Sequence, residues 1–111
     1  MAPLHISLRV VCFREGETWF AHCLEFDLIG DGPTQADALG HLAEVIRIQV
    51  EFSLEHNNLN NLFSPADGDL FLRFAAGTKT DIAAGALLMK KDAVAIDAVE
   101  IHVDQEVLAA A

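Results

Sequence analysis

The chain has few basic residues: seven Lys and Arg stand against seventeen Asp and Glu, a net charge of −10 at pH 7. Proteins that hold nucleic acid on a broad surface need clustered Lys or Arg for the phosphates, and here the only adjacent basic pair is Lys90-Lys91. Direct nucleic-acid binding is therefore not expected. An acidic surface suits a basic partner instead, although the same charge also serves solubility.

Long hydrophobic runs are missing as well. Although 52% of the residues are hydrophobic, no run approaches the ~20 apolar residues of a membrane-spanning helix. No basic region followed by an apolar run opens the sequence, so we expect no secretory signal and no membrane partner, and predict a cytoplasmic location. The 111 residues fit one domain, 1–111, with a core at 5–56 and a C-terminal extension at 62–104.

Cysteine is scarce, with only Cys12 and Cys23 in the chain. One disulfide is possible, but a reducing cytoplasm favours free thiols, and both positions fall in predicted strands, where Cys behaves as a buried hydrophobe. No CxxC or HxxxH spacing is present, and His22 and Cys23, as neighbours on a strand, point to opposite faces. We therefore expect no metal site and no cofactor.

The sequence also contains no recognisable catalytic constellation. A cysteine nucleophile needs a base, and Cys23 cannot take one from His22 on the opposite face, although His102 on the last predicted strand could approach. A ribonuclease-H-type site needs carboxylates converging on metal ions, yet residues 6–13 of the first strand hold none. We predict a non-enzymatic protein without catalytic residues. A degenerate enzyme domain is the alternative that converging carboxylates in a cleft would favour.

Alternating apolar residues indicate strands at the start of the chain. The alternation covers residues 5–13 and resumes at 18–24 after a short turn in which Gly16 can adopt a positive φ. One face of the first strand, predicted to point to the core, carries Ile6, Leu8, Val10 and Cys12. The two segments are expected to pair as an antiparallel hairpin, followed by a short third strand at 26–30.

A long amphipathic helix is predicted over residues 35–56. Thr34 is placed as its N-cap, with Asp37 in the capping-box position, and the Asn-rich segment 57–61 ends it. The expected apolar stripe consists of Ala36, Leu39, Ala43, Ile46 and Val50. Away from that stripe lie Asp37, His41, Glu44, Glu51 and Glu55.

The C-terminal half predicts two shorter helices and a strand. Ser64 is the expected N-cap of the second helix, Pro65 its first residue and Gly77 its stop. Its apolar side would consist of Leu70, Phe71 and Phe74. A third helix is predicted at 80–91 and a final strand at 93–103. The expected fold class is α+β: an antiparallel three- to four-stranded sheet with one long helix packed on it, C-terminal helices and a final strand that returns to the sheet.

Two motifs, W-x-A-H-C-L-E at residues 19–25 and G-D-G-P-T-x-A-D-A-L at 30–39, together resemble the HicB-like antitoxin family. The resemblance covers roughly residues 6–74. Gly32-Pro33-Thr34 stands where typical members have Gly-Asp-Thr, and Ala36-Asp37 where they have Glu-Glu. The resemblance implies a truncated ribonuclease-H-like β-β-β-α core that often dimerises and neutralises a small basic RNA-cleaving toxin.

Many members of that family also carry a C-terminal DNA-binding ribbon-helix-helix or helix-turn-helix. Residues 62–111 are acidic overall and show no basic and amide residues at base-reading spacing. The chain therefore resembles a solitary or atypical member without a DNA-binding tail.

Three acidic residues near the end of the second strand and in the third, Glu25, Asp27 and Asp31, form the candidate partner-binding site. They are interpreted as an acidic lip for a basic partner, or alternatively as solvated loop charge. Of the adjacent Trp19 and Phe20, one is expected in the core and the other exposed. The predicted function is a protein-binding module, a homo-oligomer such as a dimer, that masks a small basic toxin. The alternative is a solitary, self-associating regulatory or structural domain with no toxin partner.

Overall fold

The computed structural model describes residues 4–81 and 84–104. In chain order its strands and α-helices are β1 (Leu4–Glu15), β2 (Thr18–Cys23), β3 (Leu28–Gly32), α1 (Gln35–Glu55), α2 (Gly68–Ala76), β4 (Thr78–Thr80), β5 (Met89–Lys91) and β6 (Val94–Val103). Short 3₁₀ turns lie at Leu59–Leu62 and Ala84–Leu87. The strands form one sheet in the order β3-β2-β1-β6-β4, and β5 also pairs with β6.

The first two strands form the predicted antiparallel hairpin, with Glu15 opposite Thr18 and Gly16 at φ +62° in the turn. β2 pairs with β3 in the same antiparallel sense. The third strand begins two residues later than expected, because Phe26 is buried in the turn and Asp27 takes a φ of +52° that redirects the chain.

The sheet is mixed, so the prediction of an antiparallel sheet of three to four strands is wrong. β6 runs parallel to β1, from Leu4 opposite Val94 to Cys12 opposite Val103. Parallel neighbours need a long crossover, which the helices and loops between β3 and β6 supply. The final strand does return to the sheet, and it lies inside the sheet, between β1 and β4, rather than at an edge.

The prediction of a third helix at 80–91 is also wrong, since this stretch contributes β4, a 3₁₀ turn and β5; its residues 82–83 lie outside the described part of the chain. β4 and β5 both pair antiparallel with the same side of β6. Pairing with β6 gives hydrogen-bond partners to the backbone N–H and C=O groups of these two short segments. This pairing prevails over the local features that favoured a helix, such as Lys90 and Lys91 at its expected end.

The second helix begins at Gly68 after Asp67, not at Ser64 and Pro65 as expected. The segment before it is hydrogen-bonded to the β2–β3 turn: the amide of Ser64 donates to the carbonyl of Glu25 at 3.2 Å, and that of Ala66 to Leu24 at 2.8 Å. These bonds hold the segment outside the helix. The stop at Gly77 is confirmed as the C-cap.

α1 begins as predicted, with the Thr34 hydroxyl accepting a hydrogen bond from the Asp37 amide at 3.1 Å. Its buried side is rotated relative to the expected stripe and consists of Ala38, Leu39, Leu42, Ile46, Val50 and Ser53. Ala36 is exposed. The rotation follows from close contact with β3, where a Cβ on Gly30 would lie 2.5 Å from the carbonyl oxygen of Ala38.

Side chains pack on both faces of the sheet. The core under α1 contains the predicted face of β1 together with Ala21, Cys23, Ile96 and Ile101. A second cluster, under α2, contains Val11, Phe13, Leu24, Ala66 and Phe74, with Phe20, Leu70 and Phe71 against it. Trp19 packs on the first core and Phe20 on the second, and both are partly buried. The expectation that one of them is in the core and the other exposed is therefore wrong. Among the described helices, none has the length and hydropathy to cross a membrane.

Candidate functional site

Glu25 is held by one residue of β1. Its Oε1 accepts the backbone N–H of Arg9 at 2.7 Å, and its Oε2 accepts the Arg9 Nε–H at the same distance. The Glu25 side chain is only 18% exposed. Arg9 in turn lies 5.0 Å from the ring centre of Phe71. Glu25 thus fastens the β2–β3 turn to β1, and its charge is compensated inside the chain.

The two aspartates of the expected lip each lie against a histidine. Asp27 Oδ1 is 2.6 Å from His22 Nε2, and Asp31 Oδ1 is 2.9 Å from His41 Nδ1 on α1. The Asp31 backbone amide is also 3.0 Å from that same Nδ1. About half of each aspartate side chain is exposed. Asp27 precedes β3 and Asp31 lies near its far end, so roughly 10 Å of strand separates them.

A different acidic surface, one that the lip hypothesis overlooked, occupies the solvent side of α1. We define the acidic helix face as Glu44, Ile48, Glu51, Phe52 and Glu55. Ile48 is 65% exposed and Phe52 49% exposed, although both are large and apolar. Helical spacing predicts the three glutamates away from the apolar stripe, and the same spacing puts Ile48 and Phe52 on their side of the helix.

The carboxylates of this face lack basic partners. In the described ranges, Glu44, Glu51 and Glu55 form no ion pair within 4.0 Å, whereas Glu25 and Asp104 pair with arginines. Glu51 and Glu55 are four residues apart, where like charges repel on a helix. They also lie near the helix C-terminus, whose last turn has no basic residue to balance the dipole.

A cavity of about 380 Å³ adjoins this face and is lined by Glu51, Leu54, Glu55, Lys91 and Asp92. Lys91 is the last residue of β5, and Asp92, with a φ of +51°, lies in the tight turn between β5 and β6. Three carboxylates and one ammonium group line the cavity, with Leu54 as its apolar residue. Such a lining matches a cationic side chain with an aliphatic stem.

The two cysteines lie in the core under α1, and burial raises the pKa of each thiol to about 12. His102 is on the other face of the sheet, where its ring stacks on Phe74 with centres 3.8 Å apart. Its Nδ1 lies 2.6 Å from the Phe74 carbonyl and its Nε2 2.8 Å from Glu100. The approach of His102 to Cys23 that the sequence left open therefore does not occur.

Histidines and acids meet in pairs rather than in larger groups. Four of the five histidines lie beside one carboxylate each, at distances of 2.6 to 2.9 Å. Across residues 4–81 and 84–104, no three His, Cys, Asp or Glu side chains come together in an arrangement that could hold a metal ion.

Comparisons with known proteins give no relative: no protein-family model, curated protein or solved structure matches this chain. Function is therefore inferred from the chain's own side chains, above all from the acidic helix face and the aspartates beside β3.

Proposed function

We propose that this chain is a non-enzymatic protein-binding module of the HicB antitoxin type, which masks a small, basic, RNA-cleaving partner. The observation that carries the proposal is the negative charge of the acidic helix face, which has no ion pair within residues 4–81 and 84–104, beside two exposed apolar side chains. A surface that binds RNA phosphates is basic, so it is electrostatically complementary to this face. The module works in the cytoplasm, as a homodimer, and blocks the partner sterically.

Binding rather than catalysis is also supported by the state of the reactive groups. The thiols of Cys12 and Cys23 are buried with strongly raised pKa values, so neither forms a thiolate near neutral pH. His22 and His41 each face a single aspartate. A general acid–base role needs a proton-transfer group beside a substrate-sized cleft, and neither pair lines the cavity beside the acidic helix face.

Asp27 and Asp31 supply additional contacts for the basic partner. Their side chains are about half exposed, so a partner's Lys or Arg can replace the histidine that each now contacts. Glu25 contributes by holding the turn that presents Asp27, since both of its oxygens are engaged by Arg9.

The direct test is affinity capture from host lysate at low salt, followed by elution at high salt and identification of the eluate by mass spectrometry. We expect one small basic protein in stoichiometric amount, released by salt, whose RNA cleavage stops when the purified chain is added. A captured protein that still cleaves RNA at saturation would sink the proposal, as would recovery of the bait alone.

A self-associating domain without a toxin partner is the second candidate, and one observation favours it. β3 is the terminal strand of the sheet, and Ile29 on it is 44% exposed. Such an edge can pair with a second copy. Light scattering after size exclusion would test this: Ile29→Lys should convert a dimer to a monomer, and a dimer that persists would rule this edge out as the interface.

A further inference from the structure

We infer that the acidic helix face is the docking surface for a basic amphipathic segment of the partner. An aliphatic side chain of that segment packs on Ile48 and Phe52, and a Lys or Arg enters the cavity beside Glu51 and Glu55. This inference rests on the proposed function only in assuming that the natural partner is a basic protein; the surface itself can be tested without it.

The apolar part of the face is already formed in the free chain. Ile48 and Phe52 are one helical turn apart and point to the same side of α1. The ring of Phe52 is stacked against that of His56, with centres 4.1 Å apart and planes inclined by 27°. Two large exposed hydrophobes fixed side by side and ringed by charge have the composition of a small interface centre.

The charged residues of the face, Glu51 and Glu55, destabilise the C-terminal end of α1. Glu51 and Glu55 repel each other at a spacing of four residues, and both face the negative end of the α1 dipole. Cationic side chains from a partner would remove both unfavourable interactions at once. Inside the described chain, Lys91 at the adjoining cavity offsets these charges only in part. A local rule broken in this way is typical of a functional surface.

The adjoining cavity gives the basic side chain a defined position. Its volume of about 380 Å³ accommodates the methylene stem of Lys or Arg along Leu54. The head group then lies among the carboxylates of Glu51, Glu55 and Asp92. Lys91, which also lines the cavity, offsets only one of the three negative charges.

The charge of the chain favours a basic partner over a second copy. A second copy brings its own net charge of −10 to an acidic surface. Two of its seven basic side chains, Arg9 and Arg73, are already paired with Glu25 and Asp104. Self-docking on this face would therefore be opposed by long-range repulsion, whereas a basic segment is attracted to it.

The test uses a defined probe, a synthetic helical peptide of about four turns with Leu at i and i+4 and Lys at the flanking positions. Titration calorimetry with the full chain at low salt should give a dissociation constant on the order of micromolar that weakens as salt is added. A peptide with Glu in place of Lys, and another with Ser in place of Leu, should not bind measurably. Absence of binding by the Lys/Leu peptide would overturn the proposal.

Matched variants locate the surface. The double variant Glu51→Gln/Glu55→Gln and the single variant Ile48→Ser should each weaken peptide binding roughly tenfold. The controls make the same chemical change elsewhere: Glu15→Gln/Glu17→Gln near the β1–β2 turn, and Leu72→Ser on α2, where Leu72 is 70% exposed. Controls that weaken binding as much as the helix variants would show a non-specific attraction and overturn the assignment.

The same variants separate this inference from the proposed function. If the captured basic protein binds Glu51→Gln/Glu55→Gln as tightly as the unchanged chain, the docking surface is wrong and the proposed function stands. If the peptide binds at the acidic helix face but lysate yields no basic protein, the surface stands and the proposed function falls. A dimer that Ile48→Ser dissociates would assign the face to a second copy and overturn the inference.

Discussion

The backbone of Gly30 in β3 touches the backbone of Leu42 in α1: a Cβ on Gly30 would lie 2.3 Å from the Leu42 nitrogen. The helix therefore packs directly on the strand, closer than any side chain would allow. This contact sets which side of α1 is buried. Because Glu44, Ile48 and Glu51 lie on the opposite side of the helix, the same contact turns them toward solvent.

Gly30→Ala should lower the free energy of unfolding by about 2–3 kcal/mol, because the added methyl group must displace helix backbone rather than a flexible side chain. Gly40→Ala in the same helix is the control: a Cβ there meets nothing within 4 Å, and better helix propensity should raise stability by up to ~1 kcal/mol. Urea unfolding followed by the fluorescence of Trp19 measures both. Equal effects of the two substitutions would show that the close packing is not as described.

Cys12 and Cys23 should resist alkylation in the folded protein. Burial raises both pKa values to about 12, so at pH 8 almost no thiolate exists until the chain unfolds. Mass spectrometry after iodoacetamide treatment should show no modification in native buffer and two modified thiols in urea. Rapid native labelling of either residue would contradict the burial.

Glu25→Ala should destabilise the fold by roughly 1–3 kcal/mol, because the variant removes the carboxylate that accepts from both the backbone and the side chain of Arg9. Glu25→Gln keeps one oxygen acceptor and should lose less. Thermal unfolding of the two variants gives the comparison. If instead Glu25→Ala weakens partner capture while its melting temperature stays unchanged, Glu25 is a contact residue and not a structural one.

Glu51→Gln/Glu55→Gln should make the free chain slightly more stable, by ~0.5 kcal/mol at low salt, since it removes like-charge repulsion and an unfavourable dipole interaction. The gain should shrink as salt is raised. Glu15→Gln/Glu17→Gln changes the net charge equally but lies outside α1, so it isolates the general effect of charge. A loss of stability in the α1 variant would mean that these glutamates have stabilising partners.

Ser53→Ala should stabilise the protein by about 1 kcal/mol. Ser53 is fully buried on the core side of α1, and its hydroxyl has no hydrogen-bond partner among the described residues. Removing a buried, unpaired polar group recovers its desolvation penalty, and Ala is also the better helix former. Urea unfolding of Ser53→Ala should show a higher midpoint with an unchanged slope. A lower midpoint would indicate a partner for the hydroxyl.

Elements that depend on neighbouring residues were predictable from the sequence. Alternation of apolar side chains predicted the β1–β2 hairpin, and Thr34 and Gly77 marked the start of α1 and the end of α2. The burial of the Cys12 and Cys23 thiols was predictable from their positions in those strands. These features are local, because a turn, a cap or a strand face is decided within a few residues.

The tertiary structure decided which strands pair and which surfaces remain free. β1 and β6 are separated by about eighty residues of sequence, yet they lie side by side and parallel inside the sheet. β4 and β5 form strands because they pair with β6, although the local sequence pattern favoured a helix there. Glu25, an expected surface charge, is engaged by Arg9, whereas the glutamates of the acidic helix face form no ion pair with any residue that the structure describes. The sequence alone determined the acidity and the local elements. Only long-range packing could determine which carboxylates are compensated inside the chain, because that depends on residues brought together by the fold.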